Sequence, residues 1–127
     1  LLYQLLQGQL EELRKQAIVL QSRFIEVEST KIAVGDIKKL KDTNELLIPI
    51  GSGVYATGKA LKGNMLVDVG AGILLTKSPE EAEKILESKS GEIDSLNTKL
   101  QEEMIGVIAR LNELGVELQK AIQEMQK

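Results

Sequence analysis

Residues 46–77, LLIPIGSGVYATGKALKGNMLVDVGAGILLTK, contain the repeat that decides the fold. Four short runs, 46–50, 54–61, 65–69 and 73–77, are rich in β-branched and other apolar residues. Gly51-Ser52-Gly53, Lys62-Gly63-Asn64 and Gly70-Ala71-Gly72 separate them, the punctuation expected of strands and turns. A shift of 19 residues lays Leu47 on Leu66, Ile48 on Val67, Ile50 on Val69, Gly51 on Gly70, Gly53 on Gly72, Val54 on Ile73 and Thr57 on Thr76. The segment therefore reads as two copies of one hairpin, each turning at Gly-x-Gly. Two hairpins bury little apolar surface by themselves, and their edges are open pairing templates. The module thus implies assembly with other chains, with Ile48, Ile50, Val54, Val67, Val69 and Ile73 expected in subunit contacts or on the sheet's inner face. The alternative is a monomer in which Ile32 to Leu40 and Ile85 to Leu86 fold over the sheet.

Upstream, apolar residues fall at Tyr3, Leu6, Leu10, Leu13, Ala17, Leu20, Phe24, Val27 and, past Lys31, Val34. This alternation of three and four predicts a heptad seam on a long helix. Beyond residue 30 the seam positions become Lys31, Lys38 and Lys41, while Ile32, Ala33, Ile37 and Leu40 form a displaced apolar face. The helix is therefore expected to change partner there, from a second helix to a different packed body. Asp42, Thr43 and Asn44, whose side chains compete for backbone hydrogen bonds, are expected to end it.

Downstream, Ser78-Pro79-Glu80-Glu81 supplies an N-cap, a proline at the first helical position and the glutamate of a capping box. The second seam reads through Ala82, Leu86, Ile93, Leu96, Leu100, Met104, Val107, Leu111, Leu114, Leu118, Ala121 and Met125. Its two successive steps of four around Leu100 predict a local relaxation of the supercoil. Helices of roughly 44 and 49 residues, about 65 to 75 Å long, each need a partner of similar length, and each is the obvious partner of the other. Gly8, Gly35, Gly91, Gly106 and Gly115 interrupt them, either as tolerated surface substitutions or as points where the pair bends.

Composition agrees with an extended helical protein. Although 43% of residues are hydrophobic, only Tyr3, Phe24 and Tyr55 are aromatic, too few rings for an ordinary globular core but sufficient for a Leu/Ile/Val/Ala seam. The absence of Cys and His removes a thiol nucleophile, an imidazole base and the usual zinc and iron ligand sets, so neither an enzyme nor a metal or cofactor is expected. A net charge of −3 with eleven acidic groups against six basic ones over 79–127 offers no basic surface for nucleic acid. No apolar run approaches the roughly 18 to 20 residues that span a bilayer, and no signal-peptide pattern is present. A soluble, cytoplasmic protein is expected, beginning partway through a longer chain because Leu1 is not an initiator Met.

Gly53 to Lys59 spells G-x-x-x-x-G-K, the start of a phosphate-binding loop, but Ala60 stands where Ser or Thr is needed for magnesium, and strand formers Val54 to Thr57 occupy the loop itself. Hairpin turns explain its glycines better. The paired acids Glu11-Glu12, Glu80-Glu81 and Glu102-Glu103 lie outside the seams and read as solvated helix faces.

The order helix, duplicated hairpin, helix resembles the α class of prefoldin subunits. Three segments carry the likeness: Leu47-Ile-Pro-Ile-Gly-Ser-Gly-Val-Tyr55, Met65-Leu-Val-Asp-Val-Gly-Ala-Gly-Ile73 and Lys77-Ser-Pro-Glu-Glu-Ala82. They are similar to that family's apolar-Pro-apolar-Gly strand, Val-x-Val-Gly strand and acidic helix start. Leu74 and Leu75 depart from it where an aromatic and a charge are the family's pattern. The resemblance implies a jellyfish-like hexamer of two α and four β subunits, with hairpins forming a β-barrel body and six antiparallel coiled-coil arms. It also implies that unfolded clients are held between the arm tips without ATP and passed to a group II chaperonin. The chain then divides into a coiled-coil helix (1–45), a duplicated β-hairpin oligomerisation module (46–77) and a second coiled-coil helix (78–127). Client contacts are expected at the free ends, at Leu1, Leu2, Leu5, Leu6, Ala121, Ile122 and Met125, where apolar residues exceed what a two-helix seam can bury. The rival is a structural coiled-coil adaptor whose ends bind one defined partner.

Overall fold

The computed structural model describes residues 1–41, 45–60 and 64–126. In chain order the elements are α1 (Leu2–Lys38), β1 (Leu46–Gly51), β2 (Val54–Gly58), β3 (Met65–Asp68), β4 (Leu74–Lys77) and α2 (Pro79–Met125). The chain forms two compact units, one of Leu1–Ile25 with Gly91–Lys127 and one of Glu26–Ser90.

In the first unit the helices run antiparallel: Leu20, Gln21 and Phe24 face Ile93, Asp94 and Asn97, and Leu6, Leu10 and Leu13 cluster with Leu100 and Val107. The α1 seam follows the expected spacing. The α2 seam does not pass through Leu96, which is 50% exposed; half-buried Asn97 takes that place. The run Ile93, Asn97, Leu100, Met104, Val107, Leu111, Leu114 then alternates four and three without a break, so the eleven-residue interval and its supercoil relaxation disappear. Leu96, the apolar neighbour of Asn97, lies one position off the seam.

In the second unit the two helices remain partners, against the expected change of partner beyond residue 30. Ser90 Oγ donates to Glu28 Oε1 at 2.7 Å, and Lys38 Nζ reaches Glu83 at 3.3 Å and Glu80 at 3.7 Å. Val34 and Ala82 are buried, whereas Ile32 of the displaced apolar face is 67% exposed. Lys31, at 3.5 Å from Glu28, and Lys38 are thus accommodated by glutamates. Backbone bonds from Lys39 N to Asp36 O and from Leu40 N to Ile37 O, both 3.1 Å, tighten the end of α1. The stop signal at Asp42, Thr43 and Asn44 and the Lys62-Gly63 turn lie outside the described residues.

The hairpins are two separate two-stranded antiparallel sheets. Leu46 pairs with Gly58, Leu47 with Thr57, Ile48 with Ala56 and Pro49 with Tyr55. Met65 pairs with Lys77, Leu66 with Thr76, Val67 with Leu75 and Asp68 with Leu74, the same register moved by the 19-residue shift. The turns repeat too: φ is +144°, +48° and +80° at Gly51, Ser52 and Gly53, and +123°, +53° and +74° at Gly70, Ala71 and Gly72. Glycine at both outer positions is what such a left-handed run demands. β2 ends at Gly58, opposite the first residue of β1, Leu46; Leu61, the last residue of the expected run, lies outside the described residues. Val69 and Ile73 sit just outside the second pair of strands, joined by Val69 N donating to Ile73 O at 3.0 Å.

At the start of α2, Ser78 Oγ accepts from Glu81 N at 3.1 Å and Ser78 N donates to Glu81 Oε1 at 3.2 Å, completing the capping box. The Ser78 N–H, then its hydroxyl, with Lys77 and Lys84 nearby, holds the Glu81 carboxyl below its usual range.

Candidate functional site

The candidate assembly surface is built by strand alternation. Side chains two apart share a face, so Leu46, Ile48 and Ala56 lie together, as do Met65, Val67 and Leu75 in the second copy. Of the six expected assembly residues, Ile48, Ile50, Val54, Val69 and Ile73 are 49–70% exposed and Val67 is half-buried. The helices leave them open, contrary to the monomer in which helix ends cover the sheet.

Sequence reasoning missed the opposite face, where Leu47, Tyr55, Leu66 and Leu74 are at least as open. The signal was present: LLIPI and MLV are continuous apolar runs rather than alternating ones, the pattern of strands covered on both sides. A lone chain that exposes apolar side chains on both faces of each hairpin, and unpaired strand edges besides, presents a surface suited to other strands.

The candidate ends are arranged differently from expectation. Leu6 is a seam residue, 7% exposed, in the cluster with Leu10, Leu13, Leu100 and Val107. Leu1 (93%), Leu2 and Leu5 are open. Since Leu20 faces Ile93, equal rise sets Leu1 level with about Asn112 and Ala121 roughly 14 Å further along α2. Ala121, Ile122 and Met125 are exposed on those turns of α2. On one flank of the helix pair, Val19, Leu20, Leu96 and Leu100 floor a groove of about 460 Å³ rimmed by Glu12, Lys15, Lys99 and Glu103.

Two polar features sit near the seam. The hydrogen bond from Ser90, reinforced by Lys31 at 3.5 Å, holds the Glu28 carboxyl below its usual range. Ser90 itself is buried. The G-x-x-x-x-G-K segment forms a hairpin turn and β2, and the next element among the described residues is β3, not a helix that could face a phosphate. No helix among the described residues is long and apolar enough to cross a membrane.

Comparison with known proteins agrees with this geometry. The family model of prefoldin subunits matches residues 6–124. Prefoldin subunit alpha of Thermofilum pendens is 31% identical over 113 residues, covering 88% of each chain. Prefoldin subunit alpha of Pyrococcus horikoshii is 32% identical over 127 residues, covering 98% of this chain and 83% of the relative. Among solved structures, a filamentous PFD from Methanocaldococcus jannaschii has the same fold, with a TM-score of 0.79 at 23% identity, covering 90% of this chain and 95% of that one. With a family match that takes in both helices and both hairpins, this chain belongs to the prefoldin family and has the role of a chaperone subunit.

Proposed function

We propose that this chain acts as the α-class subunit of a prefoldin hexamer, two copies with four β-class subunits, its duplicated hairpins joining those of its partners in a shared β body. The observation that carries the reading is the exposure of apolar side chains on both faces of both hairpins, a surface that a single chain leaves wet and a strand partner would cover. In the assembly the helix pairs hold nonnative proteins and hand them to a group II chaperonin in the cytoplasm. No nucleotide or catalytic group takes part: with neither Cys nor His in the chain, holding rests on nondirectional apolar contact. Leu1, Leu2, Leu5, Ile122 and Met125, exposed at the ends of the helix pair, are the proposed first contacts with clients, and several such pairs acting together supply avidity that no single one has.

The test is suppression of aggregation. The assembled complex, without nucleotide, is expected to keep several unrelated denatured proteins in solution, and removal of residues 121–127 from this chain to weaken that protection without changing the complex's mass. Protection of one protein alone would indicate a dedicated adaptor instead. Undiminished protection after truncation would move the client contacts away from the ends.

A further inference from the structure

The two flanks of the helix pair in the first unit differ in charge. On α2 one flank advances from Gly91 to Ile122 in alternating steps of three and four, ten positions with a single charge, Asp94. The other advances from Glu92 to Glu124 in the same way, and eight of its ten positions are charged, all but Leu96 and Gly106. On α1 the flank from Gln4 to Ile25 carries Glu11 and Arg14 over seven positions, and the flank from Leu2 to Arg23 carries Glu12 and Arg23.

The antiparallel pairing brings like flanks together. The groove lined by Glu12, Gln16, Val19, Leu96, Lys99 and Glu103 combines the charged flank of α2 with the Leu2 to Arg23 flank of α1. On the opposite side, Gln21 meets Asp94 around the Phe24, Ile93 and Asn97 seam. The helix pair thus has one side with ten charges in seventeen positions and one with three in seventeen.

The charge-poor side is not merely neutral. Ile18, Ile25, Ile105, Ile108 and Ile122 all lie on it and are 40–70% exposed. Between them stand primary amides, among them Gln4, Gln7, Gln21 and Gln101, together with Gly91 and Gly115, where an added Cβ would meet nothing. β-branched side chains are poor choices for a solvated helix surface, since they lose rotamer freedom and expose apolar area without a packing return. An amide both donates and accepts, so it can pair with a backbone that has no regular structure of its own.

We infer that this charge-poor side, centred on Ile18, Ile25, Ile105 and Ile108, is where the helix pair holds an uncharged apolar segment of a nonnative polypeptide. The inference rests on the holding function proposed above and extends the contact from the exposed ends along the length of the pair. An unfolded segment laid on the opposite side must strip water from Glu12, Lys15, Lys99 and Glu103, which costs free energy unless each finds a partner. On the isoleucine side it covers apolar carbon and finds amides for its backbone groups.

Photo-crosslinking in the assembled complex tests this. A crosslinking residue is placed at Gln21 or Gln101 on the charge-poor side, and at Gln16 or Lys99 on the other, with a labelled denatured protein as client. Client adducts are expected chiefly from Gln21 and Gln101. In parallel, Ile18→Gln, Ile25→Gln, Ile105→Gln and Ile108→Gln together should cut holding capacity about tenfold, because the loss recurs in each copy of a multivalent hold. Val19→Gln with Leu96→Gln, equally exposed on the charged side, should leave it unchanged. Client adducts in equal yield from both sides, adducts from Gln21 and Gln101 only to another subunit, or equal losses from the two variant sets would overturn the inference while leaving the holding function intact. An unmodified complex that holds no client would overturn both.

Discussion

Trimming Leu100 and Leu96 to alanine, one at a time, separates the true α2 seam from the one that apolar counting suggests. Each substitution removes three carbons, worth about 2.4 kcal/mol when fully buried at roughly 0.8 kcal/mol per carbon. Leu100 is 7% exposed at the centre of the cluster with Leu6, Leu10, Leu13 and Val107. Leu100→Ala therefore loses nearly all of that transfer energy and leaves a gap, for a total of about 3 kcal/mol; a two-helix seam open to solvent can partly collapse, which keeps it from the upper end of the range. Leu96 is half exposed, so Leu96→Ala should cost only about 1 kcal/mol. Asn97→Leu, which puts an apolar side chain at the seam position now held by an amide, should stabilise by about 1 kcal/mol at some loss of register specificity. Urea unfolding followed by circular dichroism, at one fixed concentration of the assembled protein, measures all three. A Leu96→Ala variant as damaged as Leu100→Ala would refute the assigned seam.

At the start of α2, Ser78→Ala removes the hydroxyl that accepts from Glu81 N and should cost about 1 kcal/mol, read as a lowered urea midpoint. Glu28, held below its ordinary value of 4.5 chiefly by the Ser90 hydroxyl, contributes stability that is present above that value and is lost as the pH falls through the lowered one. Ser90→Ala should therefore flatten the fall in urea midpoint between about pH 5 and pH 3, and an unchanged acid limb would show that the bond contributes nothing. Val67→Asp places a charge among the hairpins' apolar side chains and should separate the subunits with helical content retained; an unaltered mass by light scattering would remove this face from the assembly surface.

The sequence made the hairpins legible because their repeat constrains backbone and register together. A Gly-x-Gly turn fixes a left-handed run, and the 19-residue shift carries each pair, such as Ile48 with Ala56, onto its copy, Val67 with Leu75. The capping box at Ser78 was legible for the same reason: it is a local pattern with one geometry. The α2 seam was less so, because Leu96 and Asn97 are adjacent and only the spacing from Ile93 to Leu100 decides between them. The lysines at seam positions beyond residue 30 read as a change of partner, but the reach of Lys38 to Glu80 and Glu83 joins residues some forty positions apart, a relation that periodicity within one helix cannot express. The ends were hardest. Leu6 seemed to belong with Leu1, Leu2 and Leu5 until the facing helix buried it.

The most direct test of assembly through the hairpins is the mass in solution of this chain mixed with β-class prefoldin subunits, measured by light scattering and native mass spectrometry. A complex of two copies of this chain with four of the β subunit, lost on Val67→Asp, is the predicted result. A chain that stays monomeric in the presence of those subunits, its hairpin apolar residues still open to solvent, would contradict it.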